Sequence, residues 1–413
     1  MIKNKSTFSL LCIIFSFAFA EDSLDIEFKN ISIEVPPGSM SPHLSTSKSN
    51  ITILNWLEPI DDGHRVRFSK YDSVWTTPSS VSKGNDWFIN WADFPSVINF
   101  NKNEYAAHWL KKSGKSTYAY DAYISISKDE GKSWSQPIKA HDDKTQTEHG
   151  FLSFYEYENK LGFIYLDGRK MANEANHDKS HSSMSLRSGS IDENLTLINT
   201  QNIDGLVCEC CQTDITMTDK GPIGVYRDRS EEETRDIFLT KLEDGVWSKG
   251  KPLHLDNWKI NGCPVNGPVI TGNKNEITVA WYTRAGGKSN IKIAKSSDYG
   301  ETFGDPILLG TNETVGHLGM TDDAMGNTWL LWQKTAKKGS IELILSRIES
   351  ETNKIMHKVI EEAGKTPRFS FPQITRNNHQ IILAYSTVKN DSRETRGNNK
   401  KTSIKSLTFN TNL

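Results

Sequence analysis

The sequence has no strong bias of charge and, beyond its first twenty residues, no apolar stretch long enough to form a membrane helix. Its 413 residues include 49 basic and 51 acidic side chains, a net charge of −2, so neither nucleic acid nor an anionic membrane is indicated as a partner. A linker or low-complexity segment is also lacking. With 36% hydrophobic and 10% aromatic residues, residues 21–413 are predicted to form one globular domain, which we expect to be a monomer.

The N-terminus has the features of a cleaved export signal. Lys3 and Lys5 precede an apolar run over residues 8–19, and Ala18 and Ala20 supply the small residues of a cleavage site. The run is too short to span a bilayer. We therefore predict a signal peptide over residues 1–20, cleavage after Ala20, and an exported protein that is periplasmic or secreted.

Cysteine is scarce. The chain has five, of which one lies in the predicted signal peptide. Four remain in the mature chain: Cys208, Cys210, Cys211 and Cys263. An oxidising compartment allows disulfides, and four cysteines permit three pairings, between which the sequence alone does not choose.

A short turn motif recurs along the chain. Residues 123–137 alternate as a strand, then make a tight turn in which Asp129 is expected to bond its own backbone and Gly131 to take a positive φ. The turn closes on Trp134, whose ring can pack beneath it. A second sound copy covers residues 296–303, and weaker copies lie at residues 69–78 and 244–252.

A second repeat is a short apolar strand that ends in an aromatic residue. The terminal aromatics are Trp56, Trp109, Tyr165, Tyr226, Trp281, Trp332 and Tyr385, separated by 53, 56, 61, 55, 51 and 53 residues. Four short strands per unit are typical of a propeller blade, and such sheets must stack to bury their faces. We predict an all-β propeller with seven blades, six being the alternative. Because the last unit has only three strands, residues 24–35 are expected to close the ring.

The turn motif, Ser-x-Asp-x-Gly-x-x-Trp/Phe, resembles the Asp-box (BNR) repeat of the sialidase superfamily of β-propellers. Four further stretches are similar to an exported bacterial branch of that superfamily, often labelled exo-α-sialidase: residues 86–95, 208–213, 225–230 and 262–268. The resemblance covers the whole mature chain. It implies a propeller that binds or acts on glycans, with an acidic sugar as the expected ligand.

The resemblance also implies where a site would lie, because loops into the first strand of each blade open on one face of such propellers. The residues 18 positions before the terminal aromatics should form a ring there: Trp91, Thr147, Cys208, Cys263, Thr314 and Pro367. Ionisable and aromatic side chains are concentrated beside them, which favours a binding site at this mouth.

Sialidases hold a substrate carboxylate with three arginines, because a guanidinium pairs with it through two parallel hydrogen bonds. The candidates here for substrate binding are Trp91, Arg227, Arg229, Arg284 and Arg368. The candidates for acid/base catalysis are Asp93, Glu148 and Asp214. Sialidases use a tyrosine nucleophile, but Tyr385 ends a second strand, and no tyrosine of this chain matches the position of that nucleophile.

The cysteines leave two hypotheses open. One is a disulfide between Cys208 and Cys263, which occupy equivalent positions in adjacent blades. The other is a copper(I) or zinc site made by the four mature cysteines with His149 or His317, since thiolate and imidazole suit these metals. Residues 208–211, read as Cys-x-Cys-Cys, differ from the usual C-x₂-C spacing of zinc sites. A further possible ligand group is formed by His177, Asp178 and His181. The alternatives to a glycan-acting enzyme are therefore a metal-binding propeller and a non-catalytic binding scaffold.

Overall fold

The computed structural model describes residues 23–176, 183–336, 339–363, 370–388 and 402–411. The predicted signal peptide lies outside these residues. The described residues form antiparallel sheets that follow one another in chain order, seven in all, and the molecule is a seven-bladed β-propeller. The predicted blade number is thus confirmed. Among the residues described, no helix has both the length and the apolar character needed to cross a membrane.

Strands are numbered along the chain from β1 (Lys29–Asn30). Blade one contains β2 (Met40–Thr46), β3 (Thr52–Ile60), β4 (Gly63–Asp72), β5 (Val74–Trp75) and β6 (Ser79–Gly84). Blade two contains β7 (Ser96–Asn101), β8 (Glu104–Lys112), β9 (Tyr120–Ser127) and β10 (Ile138–Lys139). Blade three contains β11 (His149–Tyr157), β12 (Lys160–Asp167), β13 (Met184–Ile191) and β14 (Leu197–Val207).

Blade four contains β15 (Asp214–Thr218), β16 (Gly221–Arg227), β17 (Ile237–Glu243), β18 (Val246–Trp247) and β19 (Lys251–His254). Blade five contains β20 (Val269–Asn273), β21 (Glu276–Thr283), β22 (Asn290–Ser296) and β23 (Ile307–Leu309). Blade six contains β24 (Thr314–Asp322), β25 (Thr328–Thr335), β26 (Ile341–Ile348) and β27 (Ile355–Ala363). Blade seven contains β28 (Gln373–Asn377), β29 (Gln380–Val388), β30 (Thr402–Asn410) and β1. Stretches of 3₁₀ helix cover Arg169–Asn176 and Ala285–Gly287.

The seven apolar repeats are the second strands of the blades. Each terminal aromatic is at most 4% exposed. The hydrophobic clusters combine side chains from neighbouring blades, as where Phe163 of blade three packs with Ile124 of blade two. Because a second strand is covered on both faces by adjacent sheets, nearly all its residues are apolar.

The N-terminal segment closes the ring, as predicted. Strand β1 pairs antiparallel with β30, with Lys29 opposite Thr408. The paired part is shorter than the predicted strand, because the preceding residues run beside blade six, where the Leu24 amide donates to the His357 carbonyl oxygen at 2.9 Å. The last blade thereby gains its fourth strand and its edge is covered.

The two sound copies of the turn motif make matching hydrogen bonds. In blade two, Asp129 accepts from the Ser127 hydroxyl at 2.8 Å and from the Ser133 amide at 2.9 Å. In blade five, Asp298 accepts from Ser296 at 2.7 Å and from the Thr302 amide at 3.0 Å. Both turns contain a glycine with positive φ, 81° at residue 131 and 71° at residue 300.

The first strands of the blades surround a central channel. They form a continuous ring in which each contacts the first strand of the next blade. The ring encloses a cavity of about 420 Å³ whose lining includes residues of all seven first strands. The starts of these strands define one mouth of the channel, at which the candidate residues are placed.

Candidate functional site

The backbone is strained where the chain enters the channel. Five of the non-glycine residues with positive φ lie here, with φ between 49° and 55°, each 14 to 16 positions before the terminal aromatic of its blade: Ser41, Phe151, Val265, His317 and Ser370. Side chains other than glycine rarely adopt this left-handed conformation. Strain of this kind persists where the surrounding structure over-determines it, and it concentrates at functional sites.

A loop between blades one and two covers this mouth. The Trp91 ring stacks on Phe371 of the loop into blade seven, with centroids 5.8 Å apart and planes 15° apart, and also contacts His317 of blade six at 5.4 Å. From blade four, the Gln212 side chain donates to the Ala92 carbonyl oxygen at 2.6 Å. The loop is thus held by blades on the far side of the channel. The Trp91 side chain remains 45% exposed, so it is available to a ligand.

The four mature cysteines converge beside this loop. The sulfur of Cys208 lies 3.1 Å from that of Cys211 and 3.9 Å from that of Cys263. Cys210 forms a disulfide with Cys263, with Cα atoms 6.2 Å apart, inside the usual range of about 4.4–6.8 Å. We call these four residues the sulfur cluster. It joins the loop before blade four to the loop before blade five.

The prediction of a disulfide between Cys208 and Cys263 was wrong. Cys208 is 1% exposed, and its amide donates to the Arg227 carbonyl oxygen at 3.0 Å. The half-buried Cys210 pairs instead with the exposed Cys263. Cys208 and Cys211 do have the C-x₂-C spacing of zinc motifs, which the sequence analysis overlooked. Their sulfurs are the nearest pair in the cluster that is not joined by a bond.

Two buried arginines polarise the sulfur cluster. Arg235 donates to the Cys208 sulfur at 3.3 Å. Burial alone would raise the pKa of Cys208, but the Cys211 thiol and the charges of Arg227 and Arg235 lower it to about 6. Burial and the neighbouring Cys208 raise the pKa of Cys211 well above its usual value. The cluster therefore contains one thiolate and one thiol near neutral pH.

Arg227 does not have the free guanidinium that substrate binding requires. It is 2% exposed, and its partners among the described residues are backbone carbonyl oxygens, those of Asn266, Tyr282 and Arg235, at 2.7–3.1 Å. Its guanidinium also lies over the ring of Trp258, 5.0 Å from the centroid. Its role is to tie blades four and five together and to place a positive charge beside Cys208.

The other predicted arginines do not form a common pocket in the described part of the chain. Arg229 pairs with Glu209 and, at 2.5 Å, with Glu233. Arg284 is exposed, at the start of a 3₁₀ turn. Arg368 lies outside the described residues. The three-arginine arrangement implied by the sialidase resemblance is therefore not assembled from the residues described.

The sequence analysis missed the ion pairs that cover the sulfur cluster. Arg235 binds Glu209 at 2.7 Å and Glu233 at 2.8 Å, and the same two carboxylates bind Arg229. A signal was present in the sequence, because Glu209 stands inside the cysteine run. Arg235, however, is 27 positions from Cys208, and only the pairing of blade strands brings the two together.

Two of the three predicted acid/base residues share a tyrosine. The Tyr120 hydroxyl lies 2.9 Å from Asp93 and 2.8 Å from Glu148. One hydroxyl proton serves one carboxylate, so both contacts are hydrogen bonds only when a carboxyl is protonated. Burial raises the pKa of Asp93 and of Glu148 to about 7. Gly150 makes the approach possible, since a Cβ there would lie 1.9 Å from an Asp93 oxygen.

Asp214 stands apart from that pair. It lines the central cavity and accepts from the amides of Ile215 at 2.8 Å and Ile270 at 2.9 Å. Burial raises its pKa to about 7. Its partners are backbone amides of blades four and five, so the geometry gives it a structural role in joining them.

His149 also lies elsewhere than predicted. Its described contacts are with His141, 3.8 Å between ring centroids, and with carboxylates, the nearest being Asp143 at 3.0 Å. The expected ligation of a metal by His149 together with the cysteines is therefore not what the geometry offers. His317, the other candidate, is kept neutral by burial, which lowers its pKa to about 4, and its ring faces Trp91. His177, Asp178 and His181 lie outside the described residues.

Comparisons with known proteins add a similarity of fold. No family model matches the chain, and no curated protein matches it. Among solved structures, the chain is similar to the NanB sialidase from Streptococcus pneumoniae, with 10% identity and a TM-score of 0.47, over 88% of this chain and 84% of that one.

Two further solved structures show the same level of similarity. The α-L-arabinofuranosidase arb93a from Fusarium graminearum has 11% identity and a TM-score of 0.49, over 93% of this chain and 98% of that one. The polysaccharide lyase Uly1 has 10% identity and a TM-score of 0.49, over 92% of each chain. The names of these three proteins refer to action on glycans. At such low identity, the chemistry of this chain has to be argued from its own residues.

Proposed function

We propose that this protein is an exported propeller that binds a thiophilic metal ion, copper(I) or zinc, at Cys208, Cys210, Cys211 and Cys263. One observation carries the proposal: four sulfurs from the entrance loops of two adjacent blades meet, with the nearest non-bonded pair 3.1 Å apart. Thiolates are the preferred ligands of copper(I), and four of them complete a tetrahedral zinc site.

The surroundings suit bound thiolates. Each thiolate carries a negative charge that is costly to bury without compensation. Arg235 lies 3.3 Å from the Cys208 sulfur, and Arg227, nearby, contacts no carboxylate that would neutralise it among the described residues. The disulfide between Cys210 and Cys263 corresponds to the oxidised state. Its reduction by two electrons and two protons releases two more thiols for the metal.

Metal loading of reduced and oxidised protein tests the proposal. The mature chain is reduced with a phosphine, freed of reductant without oxygen, and exposed to copper(I), which prefers thiolates to nitrogen and oxygen ligands. Elemental analysis after gel filtration should find about one ion per chain, and less in protein whose disulfide is intact. Cys211→Ser should lose the ion, whereas His254→Ala, at a His–Asp pair elsewhere in blade four, should keep it.

Equal copper content in the wild type and in Cys211→Ser, or a reduced protein that retains no copper, would reject the proposal. Export is tested separately. N-terminal sequencing of the protein recovered from its natural host should begin at Glu21. An intact N-terminus, found in the cytoplasm, would contradict it.

A second candidate function, glycan binding, is favoured by the exposed Trp91. Its indole is held in place by stacking on Phe371, and such a rigid aromatic surface suits the apolar face of a sugar ring. Asp93 lies on the same loop as Trp91, and Glu148 lies at the start of blade three. A protonated carboxyl of this pair is available to act as general acid.

Glycan binding is tested on a panel of acidic and neutral oligosaccharides. Trp91→Ala should lose binding, while Tyr118→Ala, which removes another exposed aromatic ring of blade two, should not. If a glycan binds, Asp93→Asn should leave its binding intact and abolish any release of sugar. Binding that survives Trp91→Ala would exclude this mouth as the glycan site.

A further inference from the structure

A second group of metal-ligating side chains lies between blades two and three, away from the sulfur atoms. We call it the histidine cluster; its members are Asp121, His141, Asp143, His149 and Asp167. Asp121 is in β9 and His141 follows β10, both in blade two, whereas His149 begins β11 and Asp167 ends β12, both in blade three. Asp143 lies in the loop that joins the two blades.

The two histidine rings are stacked face to face. Their centroids are 3.8 Å apart and their planes differ by 5°. This arrangement aligns the ring nitrogens in pairs. At one end, Asp121 Oδ1 lies 3.1 Å from His141 Nε2 and 3.4 Å from His149 Nδ1. Two nitrogens and one oxygen thus meet at a single point.

The opposite end of the stacked rings faces other carboxylates. Asp143 Oδ2 lies 3.0 Å from His149 Nε2 and 3.4 Å from His141 Nδ1. Asp167 Oδ1 is farther from His149 Nε2, at 3.9 Å. Each imidazole therefore has a carboxylate near both of its nitrogens.

The group is buried and incompletely hydrogen-bonded. The side chains of His141 and His149 are fully buried, and that of Asp121 is 2% exposed. Four of their atoms make no hydrogen bond of acceptable geometry although they are inaccessible to solvent: Asp121 Oδ1, both ring nitrogens of His141, and His149 Nδ1. A buried polar atom without a partner destabilises the folded state. So many at one point indicates a missing ligand.

Protons alone satisfy this group poorly. Two imidazolium ions stacked at 3.8 Å would repel each other in a site without water. A divalent cation at the Asp121 end would instead accept lone pairs from two neutral imidazoles and one carboxylate. The single ion would take the place of the two extra protons, so the two rings would no longer repel each other as cations.

We propose that Asp121, His141 and His149 bind a divalent transition-metal ion of the zinc class, and that this ion fastens blade two to blade three. Zinc binds imidazole nitrogen and carboxylate oxygen at about 2.0–2.2 Å, so ligand atoms around it lie roughly 3–3.5 Å apart. The two distances from Asp121 Oδ1 to the ring nitrogens, 3.1 and 3.4 Å, have this spacing. Two imidazoles and a carboxylate suit zinc, cobalt or nickel more than a soft ion.

Neighbouring side chains hold the ligands in place. Lys139 binds the second oxygen of Asp121 at 2.7 Å, which leaves Oδ1 for the metal. Asp143 accepts from the far side of His149, as outer carboxylates do for metal-bound histidines. Asp143 is itself held by Arg169 at 3.3 Å. The site uses nitrogen and oxygen donors only, so it does not depend on the proposed sulfur site.

Cobalt titration of the mature chain with its disulfide intact and its free thiols blocked tests the inference. The wild type should bind about one Co²⁺ ion, with visible bands of nitrogen and oxygen ligation and no thiolate charge-transfer band. His149→Ala and the double variant His141→Ala/His149→Ala should weaken binding by more than the roughly 10- to 100-fold typical of changes to outer carboxylates. His108→Ala, which removes another buried histidine of blade two, should bind as the wild type does.

Thermal unfolding gives a second, independent readout. Zinc should raise the melting temperature of the wild type relative to protein in a chelator, because the ion binds the folded state. The rise should be smaller in Asp121→Asn. Folded wild type that binds no Co²⁺ and gains no stability from zinc would overturn the proposal, as would equal binding by the wild type and the double variant, or a spectrum of thiolate ligation alone.

Discussion

The sulfur cluster and the histidine cluster occupy corresponding places in the propeller yet offer opposite chemistry. Each is built at the entrance to the first strand of a blade, one before β15 and β20, the other before β11. One presents soft sulfur donors beside buried cations, as where Arg235 contacts Cys208. The other presents imidazoles between carboxylates. The scaffold therefore determines where side chains meet, and the loop residues determine what they can bind.

The difference extends to the protonation states. At the sulfur cluster, burial opposes the thiolate, but the Cys211 thiol and the two arginines outweigh it and lower the pKa of Cys208 to about 6. At the histidine cluster, burial opposes the charged imidazolium, but Asp121 and Asp143 outweigh it and raise the pKa of His149 to about 9. A metal ion would have to displace protons at both sites: from the imidazoles at the second, and from the Cys211 thiol and the two thiols of the reduced disulfide at the first. Metal binding should therefore weaken at both clusters as the pH falls.

The largest effect is expected from removing the buried cation of the sulfur cluster. Arg227→Ala leaves three buried carbonyl oxygens without a donor and opens a cavity beside Trp258. We expect a loss of about 3 kcal/mol or more in the free energy of unfolding, measured by urea denaturation. The control Arg284→Ala, at an exposed arginine, should change it by less than about 0.5 kcal/mol. Equal stability of the two variants would show that the charge of Arg227 has no structural role.

The stability of the protein should depend on pH through Asp214, a buried carboxyl with neither a cation nor a histidine among its described contacts. Because burial raises the pKa of Asp214 to about 7, the folded state keeps a proton that the unfolded state releases near pH 4. Its contribution to stability is therefore fully present below about pH 4 and lost as the pH rises towards 7, on the order of 3 kcal/mol.

Asp214→Asn should remove that loss, so its stability relative to the wild type should increase from pH 4 to 7 in denaturation series. Asp219→Asn, at an exposed position of the same blade, should show no such trend. A wild type and Asp214→Asn whose stabilities stay parallel over this range would mean that the carboxyl is not held protonated.

The thiolate of the sulfur cluster can be observed directly. The ultraviolet thiolate absorbance of metal-free protein should persist at neutral pH and disappear as the pH falls through about 6, the pKa of Cys208. Cys208→Ser should lack this transition. In Cys211→Ser, the transition should move to higher pH if the serine hydroxyl stabilises the thiolate less well than the thiol does. Absorbance that appears only above pH 8 would contradict the role given to the two arginines.

The smallest effect is expected far from both clusters, at the turn motif. Asp129→Ala removes the acceptor of the Ser127 and Ser133 bonds, so the melting temperature should fall slightly. Asp72→Ala, in a weaker copy of the motif, should lower it less. A larger fall in Asp72→Ala would show that the sound and weak copies do not differ as their sequences suggest.

The sequence predicted the fold through its periodicity. The spacing of Trp56, Trp109 and their counterparts indicated seven blades because each second strand must be apolar on both faces. It also indicated that Cys208 and Cys263 would lie close together, since they occupy the same position in adjacent blades. That prediction needed only the repeat, and the 3.9 Å between the two sulfurs agrees with it.

The partners within each cluster could not be predicted in this way. Tyr120 and Asp121 belong to a third strand and His141 follows a fourth strand. The loops around these strands vary in length from blade to blade, so the alignment on second strands did not place the three residues. Arg227 was expected to bind substrate, but the direction of its side chain depends on carbonyl groups of the next blade. Trp91 reaches across the mouth to Phe371, and no local pattern relates two residues so distant in the chain.

The sequence by itself determined that seven similar sheets stack around an axis, because short strands with two apolar faces bury both of them only when neighbouring sheets stack. Only the tertiary structure decided which side chains share a buried space: sulfur with Arg235, imidazole with Asp121. Their pairing depends on loop paths and on charge compensation between blades. These are properties of the folded molecule, since burial is what makes an unmatched charge or an unpaired polar atom costly.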